Sequence, residues 1–245
     1  MPPTRWPRSI TAASPLERTW SPLHRRAETL QLPPVPTLVV APHPDDEVLL
    51  AGGLIATQRS RGVDVHVLAV TDGEAAYDVD DPAALASKRR TEQLAALGEL
   101  GVEPHSITRL GLPDGAVPAH VDTVADAVAS LAGFGLVVAP WTGDHHCDHE
   151  ATGAAVRRGA ARSGAAVLFG LFWTWHHRRP EELADERIAM LDLADDAMRR
   201  RGRALRRHDS QFSAEHGPAQ LTEQLVAPAG WPAEYYLVPQ PGVPT

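Results

Sequence analysis

The stretch that decides the fold is residues 37–47, T-L-V-V-A-P-H-P-D-D-E, in which an uninterrupted apolar run is followed by charged side chains. A run that is apolar at every position, rather than at every second one, is typical of a strand covered on both faces. Residues 135–140, G-L-V-V-A-P, repeat the pattern further along the chain. Two such runs favour a parallel sheet that is buried between helices.

Apolar runs and helical segments alternate outward from this stretch. The predicted strands are Thr37–Pro42, Val63–Thr71, Ser106–Leu112, Gly135–Pro140 and Ala165–Phe172. The predicted helices between them are Val48–Arg61, Ala83–Leu100, His120–Leu131 and Glu150–Ser163. This alternation indicates βαβ units. We therefore expect the α/β class, with a Rossmann-like three-layer α/β/α arrangement around a mostly parallel sheet.

The two ends of the chain are less regular than its middle. Residues 1–36 are rich in Pro, Arg, Ser and Thr, so we interpret them as an N-terminal arm with a short helix near Leu16–Leu30. Residues 37–245 are then expected to form a single domain, which suits a chain of 245 residues. After Trp173 the pattern predicts only a strand at Arg187–Leu193, an Arg-rich helix at Asp195–Arg207 and a Pro-rich tail.

Composition excludes several classes of protein. The chain has 31 acidic and 23 basic residues, a net charge of -8, which argues against binding to duplex nucleic acid. The single cysteine, Cys147, excludes an intramolecular disulfide framework. No stretch approaches the roughly 18 consecutive apolar residues of a membrane span, and the N-terminus lacks the apolar core of a signal peptide. We therefore expect a cytoplasmic protein without a nucleic-acid or membrane partner.

The loop after the first strand carries His43, Asp45, Asp46 and Glu47. In open α/β sheets ligands bind outside the carboxyl ends of the strands, so this loop is a candidate site. The spacing of His43 and Asp46 lets one turn aim both side chains at a common point. The alternative is that Asp45 and Asp46 cap the following helix, where carboxylates favour the positive end of its dipole.

The loop after the fourth strand carries His145, His146 and His149, three of the 12 histidines of the chain, within five positions. Imidazole nitrogen and carboxylate oxygen are the ligands that zinc takes in catalytic sites. No Gly-x-Gly-x-x-Gly follows a strand, and Gly-x-Ser-x-Gly is absent, which disfavours dinucleotide binding and serine hydrolysis. Metal-assisted hydrolysis is therefore the function that the residues favour, with a solvated histidine cluster as the alternative.

These motifs resemble the PIG-L, or LmbE-like, family of zinc-dependent de-N-acetylases. The resemblance covers about residues 37 to 212, in the order of the family's motifs. It rests on Ala41–Glu47, Thr71–Glu74, Arg89-x-x-Glu92, Gly111–Gly115, His146-Cys147-Asp148-His149 and His208-x-Ser210-Gln211. Cys147 stands where the family usually has Pro, and Asp144 stands where the mycothiol-pathway deacetylase has Tyr.

The resemblance implies a role for each matched residue. His43, Asp46 and His149 would bind Zn²⁺, with Fe²⁺ as the alternative metal. Asp45 would be the general base that deprotonates a zinc-bound water. The remaining implied roles are oxyanion stabilisation or acid catalysis by His146, orientation of the His146 ring by Asp148, and contacts to sugar hydroxyls by Arg89 and Asp114.

We therefore expect a hydrolase that removes an N-acetyl or similar acyl group from an amino sugar or small glycoconjugate. Two alternatives stay open: an amidase of a non-sugar amide or thiol conjugate, and a catalytically silent, metal-bound domain that binds a sugar or a partner. The expected partner is a small N-acylated molecule, and assembly into a homo-oligomer is left open. Trp173 follows the fifth strand and could stack on a sugar or cover the core.

Overall fold

One mixed sheet organises the part of the chain that the computed structural model describes, residues 14–131, 133–215 and 217–239. The strands are β1 (Glu28–Thr29), β2 (Thr37–Ala41), β3 (Val65–Ala69), β4 (Ile107–Arg109), β5 (Leu136–Pro140), β6 (Ala166–Gly170), β7 (Ile188–Asp192) and β8 (Ala233–Leu237). The α-helices are α1 (Pro15–Arg26), α2 (Asp46–Ser60), α3 (Pro82–Leu100), α4 (Val121–Ser130), α5 (Cys147–Ser163), α6 (Thr174–His177), α7 (Asp195–Leu205) and α8 (Asp209–Phe212). Among these described residues, no helix is both long and apolar enough to cross a membrane.

The strands follow one another across the sheet in the order β1-β7-β8-β6-β5-β2-β3-β4. Strand β2 pairs in parallel with β3 on one side and with β5 on the other. Every residue of β2 and of β5 is buried, as their continuous apolar sequences predict. The strand order reverses direction between β2 and β5, so a ligand site is expected at the carboxyl ends of these two strands.

Two apolar clusters lie on opposite faces of the sheet. Alternate residues of β2 point to opposite faces, and accordingly Val39 belongs to one cluster and Val40 to the other. Helices α2, α3 and α7 contribute to the first cluster, and α1, α4 and α5 to the second. The expected three-layer α/β/α fold around a mostly parallel sheet is therefore confirmed.

The last strand, β8, is not foreseen by the sequence analysis, which assigns this region to a Pro-rich tail. It pairs antiparallel with both β6 and β7 and so completes the sheet between them. Its sequence, A-E-Y-Y-L, is short and lies between Pro232 and Pro239, which obscures the strand pattern. Four of its five residues are nonetheless buried.

Helix α2 is bent where it passes β8, and a buried ion pair occupies the bend. Ala51 has non-helical dihedral angles, φ -147° and ψ 15°, so the amide N–H groups beyond it lose their usual partners in the helix. The Gly53 and Leu54 amides instead donate to the Glu234 carboxylate, at 2.6 and 2.8 Å. Arg201 Nη1 also lies 3.1 Å from this carboxylate. Glu234 thus links β8 and α7 to the helix that begins at the candidate site.

The described part of the predicted N-terminal arm packs against the rest of the chain. Helix α1 begins at a capping box formed by Ser14 and Glu17, and it buries Trp20 and Leu23. The Trp20 indole donates to the carbonyl of Trp175 at 2.9 Å. Strand β1 then pairs in parallel with β7. Residues 1–13 lie outside the described residues, and the division into an arm and a domain at residue 36 stays a prediction.

Candidate metal centre and active site

The two predicted loops meet at the carboxyl edge of the sheet. His43 and Asp46 follow β2, and His149 lies in the first turn of α5 after the neighbouring strand β5. The ring centroids of His43 and His149 are 5.5 Å apart. Residues that are 106 positions apart in sequence (149 minus 43) are therefore brought together because their strands are hydrogen-bonded neighbours.

The side chains of His43, Asp46 and His149 converge on one point. The Asp46 carboxylate lies 3.1 Å from His43 Nδ1 and 3.2 Å from His149 Nε2, through different oxygens. One donor atom from each residue lies within 4.8 Å of the other two. Two imidazole nitrogens and a carboxylate oxygen are a donor set that fits Zn²⁺ and also Fe²⁺. The predicted ligands can thus hold one metal ion.

In each of the two histidines, the ring nitrogen that does not face Asp46 lies near other carboxylates. His43 Nε2 lies 3.1 Å from Asp114 and 3.3 Å from Asp148. His149 Nδ1 lies 2.9 Å from Asp144. Carboxylates in this position fix the tautomer and orientation of a metal-binding imidazole and increase its basicity. Burial by itself would lower the pKa of His149, but Asp46 and Asp144 raise it to about 9.

Asp144 contacts the predicted ligand His149, a position that its sequence motif does not reveal. It is completely buried, and its carboxylate accepts hydrogen bonds from the amides of Phe172 and Thr174, both at 3.0 Å, and from the Thr174 hydroxyl at 2.6 Å. These donors come from the segment after β6. Asp144 therefore holds that segment and His149 in a fixed relative position. The sequence feature that could have indicated this contact is the position of Asp144, five residues before the predicted ligand His149.

Asp148 contacts His43 rather than the His146 ring that it is expected to orient. Its carboxylate accepts from the amides of Gly115, at 2.8 Å, and Val117, at 3.2 Å, in addition to its contact with His43. Within the described residues, the contact between Asp148 and the His146 ring is made by the backbone: the Asp148 amide donates to His146 Nδ1 at 3.3 Å. This is possible because His146 is the N-cap of α5, where its side chain accepts an amide of the first turn.

Asp45 has an unusual backbone at the start of α2. Its φ is 139°, a region that side chains rarely adopt and that costs of the order of 1–3 kcal/mol. Its carboxylate accepts no hydrogen bond from the first turn of α2, all of which is described, so it does not act as a side-chain cap. Asp45 is 7 % exposed and lines the cavity beside the three converging side chains. Burial and then the charge of Asp46 raise the pKa of Asp45 well above its usual range.

The other acid of the loop, Glu47, points away from the cavity into the protein. Its carboxylate accepts from Gln93 Nε2 at 2.9 Å and from the Asp45 amide at 3.3 Å. Burial raises the pKa of Glu47 to about 7. His208 lies 3.8 Å from it and is also completely buried. The buried Glu47 carboxylate therefore holds the backbone amide of Asp45 by a hydrogen bond from the protein interior.

A cavity of about 250 Å³ opens above these residues, and the two predicted substrate-binding residues line it. Arg89 is 3 % exposed, and its Nη1 donates to the Gly73 carbonyl at 2.9 Å. Arg89 Nε and Nη2 are buried and have no hydrogen-bond partner among the described residues. Asp114 accepts from the Ala75 amide at 3.0 Å through one oxygen and faces His43 with the other.

The remaining residues that the sequence analysis singles out divide between the cavity and the surface. Trp173 lines the cavity and stacks on His146, with centroids 6.0 Å apart and planes at 14°. Cys147 also lines it, and its Sγ lies 3.7 Å from Asp148. His145 instead stacks on His177, and two arginines of the basic helix, Arg203 and Arg207, pair with Glu99 on the outer face of the molecule.

The fold and the site together define a class of protein. An α/β sheet that carries a His–Asp–His donor set, with a further carboxylate lining the same cavity, is typical of a metal-dependent hydrolase. The chain belongs to the PIG-L family, because residues 38–160 match the family model described as GlcNAc-PI de-N-acetylase. PIG-L deacetylases are metal dependent. The resemblance seen in the sequence motifs is thus confirmed.

Two relatives and one solved structure show the extent of the similarity. The chain is 30% identical to the "Probable N-acetyl-alpha-D-glucosaminyl L-malate deacetylase 2" of Bacillus subtilis (strain 168), over 71% of this chain and 82% of that protein. It is also 30% identical to the 1D-myo-inositol 2-acetamido-2-deoxy-alpha-D-glucopyranoside deacetylase of Mycobacterium sp. (strain KMS), over 82% of each. The N,N'-diacetylchitobiose deacetylase of Pyrococcus horikoshii has the same fold, with a TM-score of 0.61 and 23% identity over 80% of this chain and 78% of that one.

Proposed function

We propose that this protein is a zinc-dependent N-deacetylase that removes an acetyl or similar acyl group from an amino sugar or small glycoconjugate. The observation that carries the proposal is the convergence of His43, Asp46 and His149 beside Asp45, which lines the same cavity without being one of the three converging residues. The relatives support the substrate class, since both are named as deacetylases of N-acetylated amino sugars. A soluble small-molecule substrate and the single cysteine are consistent with the cytoplasm as its compartment.

His43, Asp46 and His149 would hold the metal ion through Nδ1, a carboxylate oxygen and Nε2. When bound, zinc supplies a Lewis acid that polarises a carbonyl and lowers the pKa of a bound water to roughly 7. Fe²⁺ would fit the same donors. Asp144 behind His149, and Asp114 and Asp148 behind His43, would keep the two rings in the orientation that binding needs.

Asp45 would act as the general base and then as the acid. Its carboxylate takes a proton from the water that attacks the amide carbonyl, and it returns a proton to the nitrogen as the C–N bond breaks. A carboxyl group that must both accept and donate a proton works best when its pKa lies near the working pH. The burial of Asp45 and the neighbouring charge of Asp46 raise its pKa in that direction.

His146 would stabilise the negative charge that develops on the carbonyl oxygen. The Asp148 amide donates to its Nδ1, so that Nε2 carries the hydrogen in the neutral ring and can donate it. Burial and the neighbouring His149 lower the pKa of His146, which favours this neutral form. A single donor to an oxyanion typically contributes about 10²–10³ in turnover. Asp148 would contribute through His43 and through the amide that orients His146.

Arg89 and Asp114 would bind hydroxyl groups of the sugar. Arg89 lines the cavity and carries guanidinium N–H donors, and Asp114 offers carboxylate oxygens as acceptors. A sugar hydroxyl both donates and accepts, so this pair matches its two needs. The two groups also hold a sugar beside Asp45, since Arg89, Asp114 and Asp45 line one cavity.

The proposal is tested by measuring primary-amine release from a panel of acylated amines. The panel contains N-acetylglucosamine, an N-acetylglucosaminyl glycoside, a non-sugar acetamide and an N-acetylated thiol conjugate. We expect release from the sugars, its loss with a chelator, and its recovery with zinc or iron(II). Release only from the non-sugar members would identify an amidase instead. No release from any member, with metal bound stoichiometrically, would identify a silent binding domain.

A further inference from the structure

The cavity has an apolar side that N-acetyl hydrolysis alone does not require. Phe172, Trp173, Leu221 and Leu225 line it, and we refer to these four residues as the apolar wall. Phe172 and Leu221 are 4 % and 3 % exposed and belong to the main apolar cluster, against which Trp173 and Leu225 pack. The wall is therefore a fixed surface of the folded core.

Phe172 and Trp173 of the apolar wall lie on the opposite side of the metal centre from the predicted sugar-binding residues. Across the sheet the strands run β6, β5, β2, β3, β4. The segment after β6 supplies Phe172 and Trp173, and the loops after β5 and β2 supply the metal-binding side chains. The loop after β4 supplies Asp114, and Arg89 is held by Gly73 of the loop after β3. A substrate whose sugar contacts Arg89 and Asp114 thus directs its other end toward the wall.

Leu225 is held on the β6 side of the cavity by a contact of its own. Its carbonyl accepts from His176 Nε2 at 2.9 Å, and His176 belongs to α6 directly after β6. Trp173 reaches the centre of the site because it stacks on His146. Trp173 and Leu225 therefore both lie on the β6 side of the cavity, and both pack against the same apolar cluster.

The four residues of the apolar wall come from the C-terminal third of the chain. All four residues lie beyond residues 38–160, the segment that matches the family model. The ligand that binds an apolar wall gains by removing apolar surface from water. An acetyl group has one methyl to bury, which leaves most of a wall of four side chains without a contact.

We propose that the apolar wall binds the acyl group of the substrate and that this group is a linear chain longer than acetyl. This inference rests on the proposed function and names its substrate class as long-chain N-acyl amino sugars. In the reaction water attacks the amide carbonyl, so that a C–O bond forms and the C–N bond breaks. The products are the fatty carboxylate and the free amino sugar, whose amine takes up both protons of the water.

The test is a homologous series of N-acetyl-, N-butyryl-, N-hexanoyl- and N-octanoylglucosamine, with amine release as the readout. We expect kcat/KM to rise by roughly two- to fourfold for each added methylene that reaches the wall. A value that stays flat or falls with chain length, while N-acetylglucosamine is hydrolysed, overturns this inference and leaves the proposed function intact. No release from any member of the series, or from the panel of acylated amines described above, overturns both.

Two variants locate the effect. Leu225→Gln and Trp173→Ala are expected to flatten the dependence on chain length, whereas Leu94→Gln, at a 41 % exposed leucine of α3 away from the cavity, keeps it. If Trp173 stacked on the sugar instead, its loss would reduce kcat/KM by the same factor for every acyl group, and the inference would be wrong. Binding of the series to Asp45→Asn, measured by calorimetry, gives a readout that is independent of turnover, and we expect affinity to follow the same order.

Discussion

The Asp144 carboxylate lies 2.9 Å from Nδ1 of His149, on the side of the ring opposite to the nitrogen that faces Asp46. The same carboxylate accepts hydrogen bonds from the backbone amides of Phe172 and Thr174. One buried acid thus connects a predicted metal-binding histidine to the segment that begins the apolar wall. The hydrogen bonds of Asp144 therefore join the candidate metal centre to one side of the neighbouring cavity.

Replacing Asp144 with Asn is expected to weaken metal binding by roughly ten- to a hundredfold. The Asn side chain has one acceptor oxygen where Asp has two. It therefore cannot accept hydrogen bonds from His149 and from the donors of residues 172–174 at the same time. Metal affinity is measured by competition with a chromogenic chelator. The control is Asp126→Asn, at an exposed residue that forms an ion pair with Arg162 on the surface. An unchanged affinity in Asp144→Asn would show that the contact does not support the metal.

Replacing Asp45 with Asn is expected to lower turnover by about 10²–10⁴ while the protein keeps its metal. The amide preserves the shape of the side chain and removes its capacity to accept a proton. Turnover is measured by amine release and metal content by atomic emission on the same sample. Asp122→Asn, which alters an exposed surface ion pair with Arg158, is the matched control. Near-normal turnover in Asp45→Asn would assign the base to another residue.

The strained backbone of Asp45 predicts that activity and stability conflict at this position. Asp45→Gly and Asp45→Ala both remove the carboxylate, but only glycine adopts a φ of 139° without steric cost. We expect the metal-free glycine variant to be more stable toward unfolding than the alanine variant by about 1–3 kcal/mol. Urea denaturation of both variants measures the difference. Equal stabilities would show that the surrounding structure does not hold Asp45 under strain.

The sequence identifies much of the fold because its strands are uniformly apolar and its helices separate them. Thr37–Ala41 and Leu136–Pro140 coincide almost completely with the predicted strands. Strand β8 is missed, since its identity as a strand depends on a gap between β6 and β7 that only the folded chain creates. The local sequence pattern predicts most helices and strands, whereas the position of the last strands in the sheet is determined by tertiary packing.

The candidate site divides in the same way. His43, Asp46 and His149 stand in short motifs at strand ends, so the sequence alone can predict that they meet, while their roles as ligands stay predictions. The place of Asp144 depends on amides from a different loop, and the contact of Asp148 with His43 depends on how α5 faces β2. Such contacts join segments that no local motif relates.

The buried ion pair at the bend of α2 makes a prediction about stability. Glu234→Gln is expected to destabilise the fold by about 3–5 kcal/mol, because it leaves the buried charge of Arg201 without its partner and weakens the acceptor of Gly53 and Leu54. Urea denaturation measures the loss. The double variant with Arg201→Met should recover part of it, since the unpaired charge is then removed. If both proteins lose the same stability, the unpaired charge is not the cause.

His208 makes the stability of the protein depend on pH. Burial and then the charge of Arg89 lower the pKa of His208 to about 3, against 6.5 for an exposed histidine. Between these values the unfolded chain binds a proton that the folded chain does not, so stability rises with pH in that range. The contribution is complete above about pH 6.5 and is lost as the pH falls toward 3, at up to about 1.4 kcal/mol per pH unit from this one group.

The variant His208→Leu removes this dependence without breaking a side-chain hydrogen bond, because neither ring nitrogen has a partner among the described residues. We therefore expect its free energy of unfolding to fall less steeply than that of the parent protein between pH 6 and pH 4. Urea denaturation at several pH values, in the absence of metal, measures both slopes. His105→Leu, at an exposed histidine, is the control and should keep the parent slope. If the slopes of His208→Leu and the parent coincide, the buried ring is protonated in the folded protein, and Glu47, 3.8 Å away, is the acid that would stabilise its charge.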